Sequence, residues 1–116
     1  MTWVTDETDA LFGTYGLGTG DVDGDKATDV VIGAYGSNRY AGAAYVQLGP
    51  ATGVVDASTL PSFQGGPGDY LGWGVGTVAD WTDDGTDEVV IGVASKEDDD
   101  TGAYGAVAVF LSDSLY

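Results

Sequence analysis

Apolar residues fall along this chain in short runs, each closed by glycine or an acidic turn. Residues 29–34 (Asp-Val-Val-Ile-Gly-Ala) and 88–94 (Glu-Val-Val-Ile-Gly-Val-Ala) are β-branched runs of strand length, which predicts two buried strands. Residues 42–48 and 105–111 mix small, β-branched and aromatic residues and read as two more. Residues 14–19 are glycine-rich, a poor strand by propensity but a plausible one where backbones crowd together; residues 73–79 are a stronger version of it. Two short strands, 3–5 and 62–64, complete the set, and residues 49–61 read as a turn-rich connector. No segment requires a helix, so the expected class is all-β with tight turns.

The pattern occurs twice, with an offset of 59 residues. Phe12-Gly13 aligns with Leu71-Gly72, Asp21 with Asp80, Asp25 with Asp84, and residues 30–33 with 89–92. Such periodicity signals a repeat architecture in which each unit is one supersecondary element. From residue 42 the offset grows to 63, placing a four-residue insertion within 95–104, where an exposed surface loop is expected. Four strands per unit give this division: 1–11, a strand spare to the first unit; 12–64, the first unit; 65–116, a second unit lacking its fourth strand.

Composition narrows the chemistry. Nineteen acidic residues against three basic ones leave a formal charge of -16, which argues against nucleic acid and anionic membrane surfaces as partners. No run approaches the length of a membrane span, and residues 1–6 do not read as a signal peptide. Cysteine and histidine are both absent, removing disulfides, thiolate metal sites and the commonest general base. The acidic excess suits divalent cations, a solubilising surface, or both.

The carboxylates concentrate in the repeated loops. Residues 21–29 place Asp21, Asp23, Asp25 and Asp29 at loop positions one, three, five and nine, with the Ala27 carbonyl available at position seven. Alternate residues of a tight loop can point to one centre, and Ca²⁺ takes six to eight hard oxygen ligands. Unneutralised carboxylates this close repel one another. The pattern is not an EF-hand: position twelve is Ile32 rather than Glu, and strands rather than helices flank it. Val22 at position two is expected to point inward and anchor the loop. The second loop, 80–88, keeps Asp80 and Asp84, has Thr82 at position three and Glu88 at nine, and offers the Thr86 carbonyl. It reads as a weaker version of the same site. Lys26 stands at a position that favours a left-handed backbone, where the second loop has Gly85. The alternative is that both loops are ordinary solvated turns, since Asp and Gly favour turns for backbone reasons alone. The Asp98–Asp100 cluster reads as a solvated loop, with one more ion contact as the alternative.

Phe12-Gly13, then Gly20 to Asp25, then residues 29–34 resemble the FG-GAP repeat of integrin α-subunit β-propellers and their bacterial relatives. Leu71-Gly72 with residues 80–92 resembles a second, diverged copy. Tyr35, Leu71, Lys26, Thr82 and Glu88 depart from the pattern. The resemblance implies four-stranded antiparallel propeller blades, a Ca²⁺ loop between the first two strands of each, and an extracellular or cell-surface role in adhesion or ligand recognition. Propellers have four to eight blades. Two blades are therefore expected to complete a ring by oligomerisation with strand exchange, residues 3–5 finishing a neighbour's last blade. Three chains would give six blades and four chains eight; the other possibility is a fragment of a larger integrin-like protein. The expected function is a non-catalytic calcium-binding scaffold with a protein or glycan ligand. A lectin-like module is the alternative, because Trp3, Trp73, Trp81 and seven tyrosines could stack on sugars.

Overall fold

The computed structural model describes residues 1–98 and 103–110, and side chains within 1–94 and 105–110. Among the described residues almost everything regular is strand: β1 (Thr2–Val4), β2 (Leu17–Gly20), β3 (Asp29–Ala34), β4 (Ala43–Gln47), β5 (Val54–Asp56), β6 (Ser62–Gln64), β7 (Leu71–Val78), β8 (Glu88–Asp98) and β9 (Ala103–Phe110). The first sheet has the order β2-β3-β4-β6 and the second β7-β8-β9, both antiparallel throughout. The all-β expectation and the antiparallel sheets of three and four strands hold, and β1 and β5 form a separate two-stranded sheet.

Three local features differ from the sequence reading. Residues 37–40 form a single left-handed turn, with φ of 48°, 56° and 67° at Asn38, Arg39 and Tyr40. Glu7 holds this turn by accepting from the Ser37 hydroxyl and the Asn38 amide. Second, the connector is not all turn: β5 lies parallel to β1, with Trp3 opposite Val55, and a 3₁₀ turn at Ala57–Thr59 follows. Third, the expected loop at 95–104 is largely strand. The β8–β9 ladder shifts register between Val93 and Glu97 and then resumes with Glu97 opposite Tyr104. The antiparallel ladder absorbs extra residues by a bulge and continues; residues 99–102, with Asp99 and Asp100, lie outside the described residues.

The core lies between the two sheets. Alternation along β3 and β4 turns Val31, Ala44 and Val46 toward the second sheet, where Val89, Ile91 and Val93 of β8 meet them. Val22 and Leu71 close the ends of this layer, and Phe63 packs on Phe110 with ring centroids 4.0 Å apart. Full burial of a side chain such as Ile91 contributes about 2 kcal/mol.

Glycines set the distance between the sheets. A Cβ on Gly33 would lie 2.1 Å from the Gly72 carbonyl oxygen, and one on Gly18 would lie 2.8 Å from the Gly76 Cα. The β2 and β7 backbones thus run in contact, and the Thr77 hydroxyl donates to the Thr19 carbonyl across the gap at 2.6 Å. This explains the poor strand propensity of residues 14–19: side chains are excluded there. The repeats are also one residue out of step at this point. Ile32 pairs with Leu17 but its counterpart Ile91 pairs with Val75, so the strand offset is 58, and Ala79 restores 59 before the acidic turn. The irregularity between Leu71 and Val75 takes up the slack.

Candidate metal centre

The β2–β3 and β7–β8 turns carry the acidic loops, side by side on one edge of the two sheets. In the first, Val22 is fully buried and pins the turn to the core, as its place between two acids predicted. Asp29, at the start of β3, is also fully buried. One of its oxygens accepts from the Val22 amide (2.8 Å) and the other from the Gly49 amide (2.8 Å). Asp21 accepts from the amides of Gly24 (2.8 Å) and Lys26 (3.0 Å), folding the loop back on its first residue. Asp23 accepts from the Asp25 amide, and Asp25 from the Ala27 amide (2.7 Å), as successive turns of the Asx kind.

One carboxylate oxygen each from Asp21, Asp23 and Asp29 lies within 4.8 Å of the other two. Two ligands at the usual Ca²⁺ distance of about 2.4 Å can stand at most about 4.8 Å apart, so this trio meets the spacing condition for one ion. A carboxylate oxygen carries two lone pairs, so the amides held by Asp21 and Asp29 leave room for a metal bond. Asp25 is exposed and lies outside the trio. The Asp25 amide donating to Asp23 lowers the pKa of that carboxyl. Desolvation and the negative charges of Asp29 and Asp25 outweigh it, and the net shift is upward. Asp23 therefore resists ionisation there, and a cation would relieve that.

The second loop uses its acids as braces. Asp80 accepts from the amides of Asp84 (2.8 Å) and Gly85 (3.0 Å), and Asp84 from the Thr86 amide and hydroxyl. Glu88, fully buried, accepts from the Trp81 amide (2.6 Å), as Asp29 does from Val22. Its extra length reaches the Thr82 hydroxyl (2.8 Å) where Asp29 takes Gly49. Asp80, Asp84 and Glu88 do not converge as the first trio does; among the described residues the first loop alone brings three acids together. Left-handed residues match between the loops: Gly24 (φ 81°) with Asp83 (φ 60°), and Lys26 (φ 70°) with Gly85 (φ 88°). Lys26 does adopt the strained backbone its position called for.

One residue absent from the sequence reading joins the two loops. Asp87 accepts from the Asp21 amide (2.9 Å) with one oxygen and from the Asp80 amide (3.2 Å) with the other, while its own amide donates to the Asp21 carbonyl (2.7 Å). The first loop has Thr28 at this position, and the only signal was an acid there with no ligand role.

The class these features define is an all-β repeat module, each sheet carrying an acidic turn between its first two strands. The FG-GAP repeat matches residues 13–46, which span β2, the first acidic turn, β3 and nearly all of β4. That segment is similar to the FG-GAP repeat, which is consistent with an integrin-like β-propeller blade. Repeats of this kind are in general structural or binding modules without catalytic activity, and they typically occur in extracellular proteins. No curated protein matches the chain. No helix among the described residues is long and apolar enough to cross a membrane.

Proposed function

We propose that this chain is a calcium-braced propeller module, a non-catalytic scaffold for recognition or adhesion outside the cell that joins copies of itself into a ring. The convergence of Asp21, Asp23 and Asp29 carries the calcium reading. The buried Asp29 fixes the trio to β3, so an ion held there would tie the turn to the core rather than decorate the surface. Asp25 and the Ala27 carbonyl complete the first ligand set. A weaker second set from Asp80, Thr82, Asp84, the Thr86 carbonyl and Glu88 would require those acids to leave their bracing bonds. Titration calorimetry should show one strong Ca²⁺ site per chain. At a hundredfold excess over Kd the ion adds about 2.7 kcal/mol. For a domain of this size that is a rise in Tm of about 10 °C, reversed by chelator. Asp23→Ala should remove most of it. A wild-type Tm indifferent to calcium and chelator would overturn the reading.

A second reading, glycan binding, is favoured by one observation. Tyr15, Tyr35, Tyr40, Tyr70 and Trp73 form a continuous ring cluster, with Tyr15 stacked on Trp73 at 5.4 Å and 13°. Tyr15, Tyr40 and Trp73 remain exposed, as sugar-stacking rings must be. A glycan array that binds the wild type and loses signal with Trp73→Ala would support it; no retained glycan would remove it.

A further inference from the structure

The two sheets are copies, so the interface between them is a template for what each sheet's other face is shaped to meet. On the first sheet Val22, Ala44 and Val46 are no more than 1% exposed, because the second sheet covers them. Their counterparts on the second sheet, Trp81, Val107 and Val109, are 67%, 70% and 37% exposed. Strand pairing confirms the correspondence: Gly33 lies opposite Ala44 and Gly92 opposite Val107, Val31 opposite Val46 and Val90 opposite Val109.

The glycines repeat the same contrast. Gly16 and Gly18 of the first sheet leave space that the β7 backbone fills. Gly74 and Gly76, their counterparts at the offset of 58, have nothing within 4 Å. At Gly33 the Gly72 carbonyl occupies the notch, whereas at Gly92 the nearest atom is 3.4 Å away and belongs to Gly74 of the same sheet. Val78 and Trp73 flank this strip, both exposed. A side-chain-free track bordered by valines and tryptophan suits an approaching backbone.

We propose that this face of the second sheet receives the first sheet of a second copy of the chain. The proposal rests on the reading of the chain as propeller blades and names the surface through which copies join. On the first sheet's far side Ile32 and Ala34, the counterparts of Ile91 and Val93, are already buried within the chain, and the open complementary elements lie beside them. Gly13 is exposed with φ 71°, matching Gly72 at φ 86°, and its carbonyl enters the Gly92 notch. Leu17, 63% exposed, corresponds by pairing to Val75 and packs over Gly74 and Gly92 as Val75 packs beside Gly16. The contact is head-to-tail, joining two different faces, and such a contact forms a ring when its rotation closes.

The test uses mass in solution, by light scattering behind size exclusion, in calcium and in chelator. Wild type should run at three or four times the chain mass. Val107→Asp spoils the receiving face and Leu17→Asp the inserting face; each variant alone should run as a monomer. Mixed, they should form a dimer and nothing larger, because each retains the face the other lacks. If Val107→Asp does not melt cooperatively, Trp81→Ser takes its place. A monomeric wild type, or variants that assemble as wild type or fail to pair when mixed, overturns the contact. Monomers that still take up Ca²⁺ leave the calcium reading standing. Assembly with no calcium response leaves the contact standing and removes the cation.

Discussion

Gly33 and Gly92 occupy the same place in the two repeats, yet alanine should act on them in opposite directions. At Gly33 the new methyl would lie 2.1 Å from the Gly72 carbonyl oxygen and 3.4 Å from the Gly16 Cα. Neither backbone can give easily: the Gly33 amide donates to Gly16 at 2.9 Å, and its carbonyl accepts from Gly13 at 2.7 Å. Overpacking against backbone of this kind costs about 3 kcal/mol. With a urea m-value of about 1.5 kcal/mol per M, the unfolding midpoint should fall by about 2 M. At Gly92 the nearest atom stands at 3.4 Å, so a methyl fits and the chain loses only glycine's excess freedom. That stabilises by about 0.5 kcal/mol and raises the midpoint by about 0.3 M. Both variants are compared with wild type by circular dichroism, at a dilution where light scattering reports single chains. Equal shifts at the two positions, or a Gly33→Ala loss below about 1 kcal/mol, would show that the sheets do not touch through their glycines.

Other predictions follow from the loops. Lys26→Gly should stabilise by about 0.5–1 kcal/mol by relieving the left-handed lysine, read as a higher urea midpoint. Asp87→Ala removes two amide–carboxylate bonds, one to the first turn and one within its own; hydrogen exchange at the Asp21 and Asp80 amides should accelerate, with a loss of about 2 kcal/mol. In chelator, Asp23→Asn should raise Tm at neutral pH: the folded-state pKa of Asp23 lies above its ordinary value, so its ionised form destabilises the fold. In calcium the same change should lower Tm. The Ser58 amide and hydroxyl hold the Asp56 carboxyl below its ordinary 3.8. Its stabilising effect is present above that value and is lost as pH falls through the lower folded value; Asp56→Asn should flatten that part of the acid-unfolding curve.

The strands that the sequence located best are those whose side chains decide their place. β3 matches because Val30, Val31 and Ile32 alternate between two covered surfaces and are bounded by Asp29 and Gly33-Ala34. β6 matches because Phe63 must enter the core between polar neighbours. β2 was harder to bound, since its glycines serve the neighbouring backbone and carry no periodic signal. The one-residue slip of β7 was invisible for the same reason: Gly74 and Gly76 fit either register. The left-handed turn at residues 37–40 depends on Glu7, thirty residues away, and β1 and β5, three residues each, are too short to carry a periodic signal. In the acidic loops the alternation of Asp21 and Asp23 and the later Asp29 was legible as a converging set. The division of labour was not: whether an acid braces amides or gathers with its neighbours depends on rotamers and on the adjacent loop, as Asp87 illustrates.

The Asp87 carboxylate has a mechanical consequence. The amides it grips belong to consecutive units, one upstream and one within its own turn. A fluctuation that frees the earlier turn must also detach it from the later one. These two turns therefore behave as hooked links, in which slack at one is felt at the other.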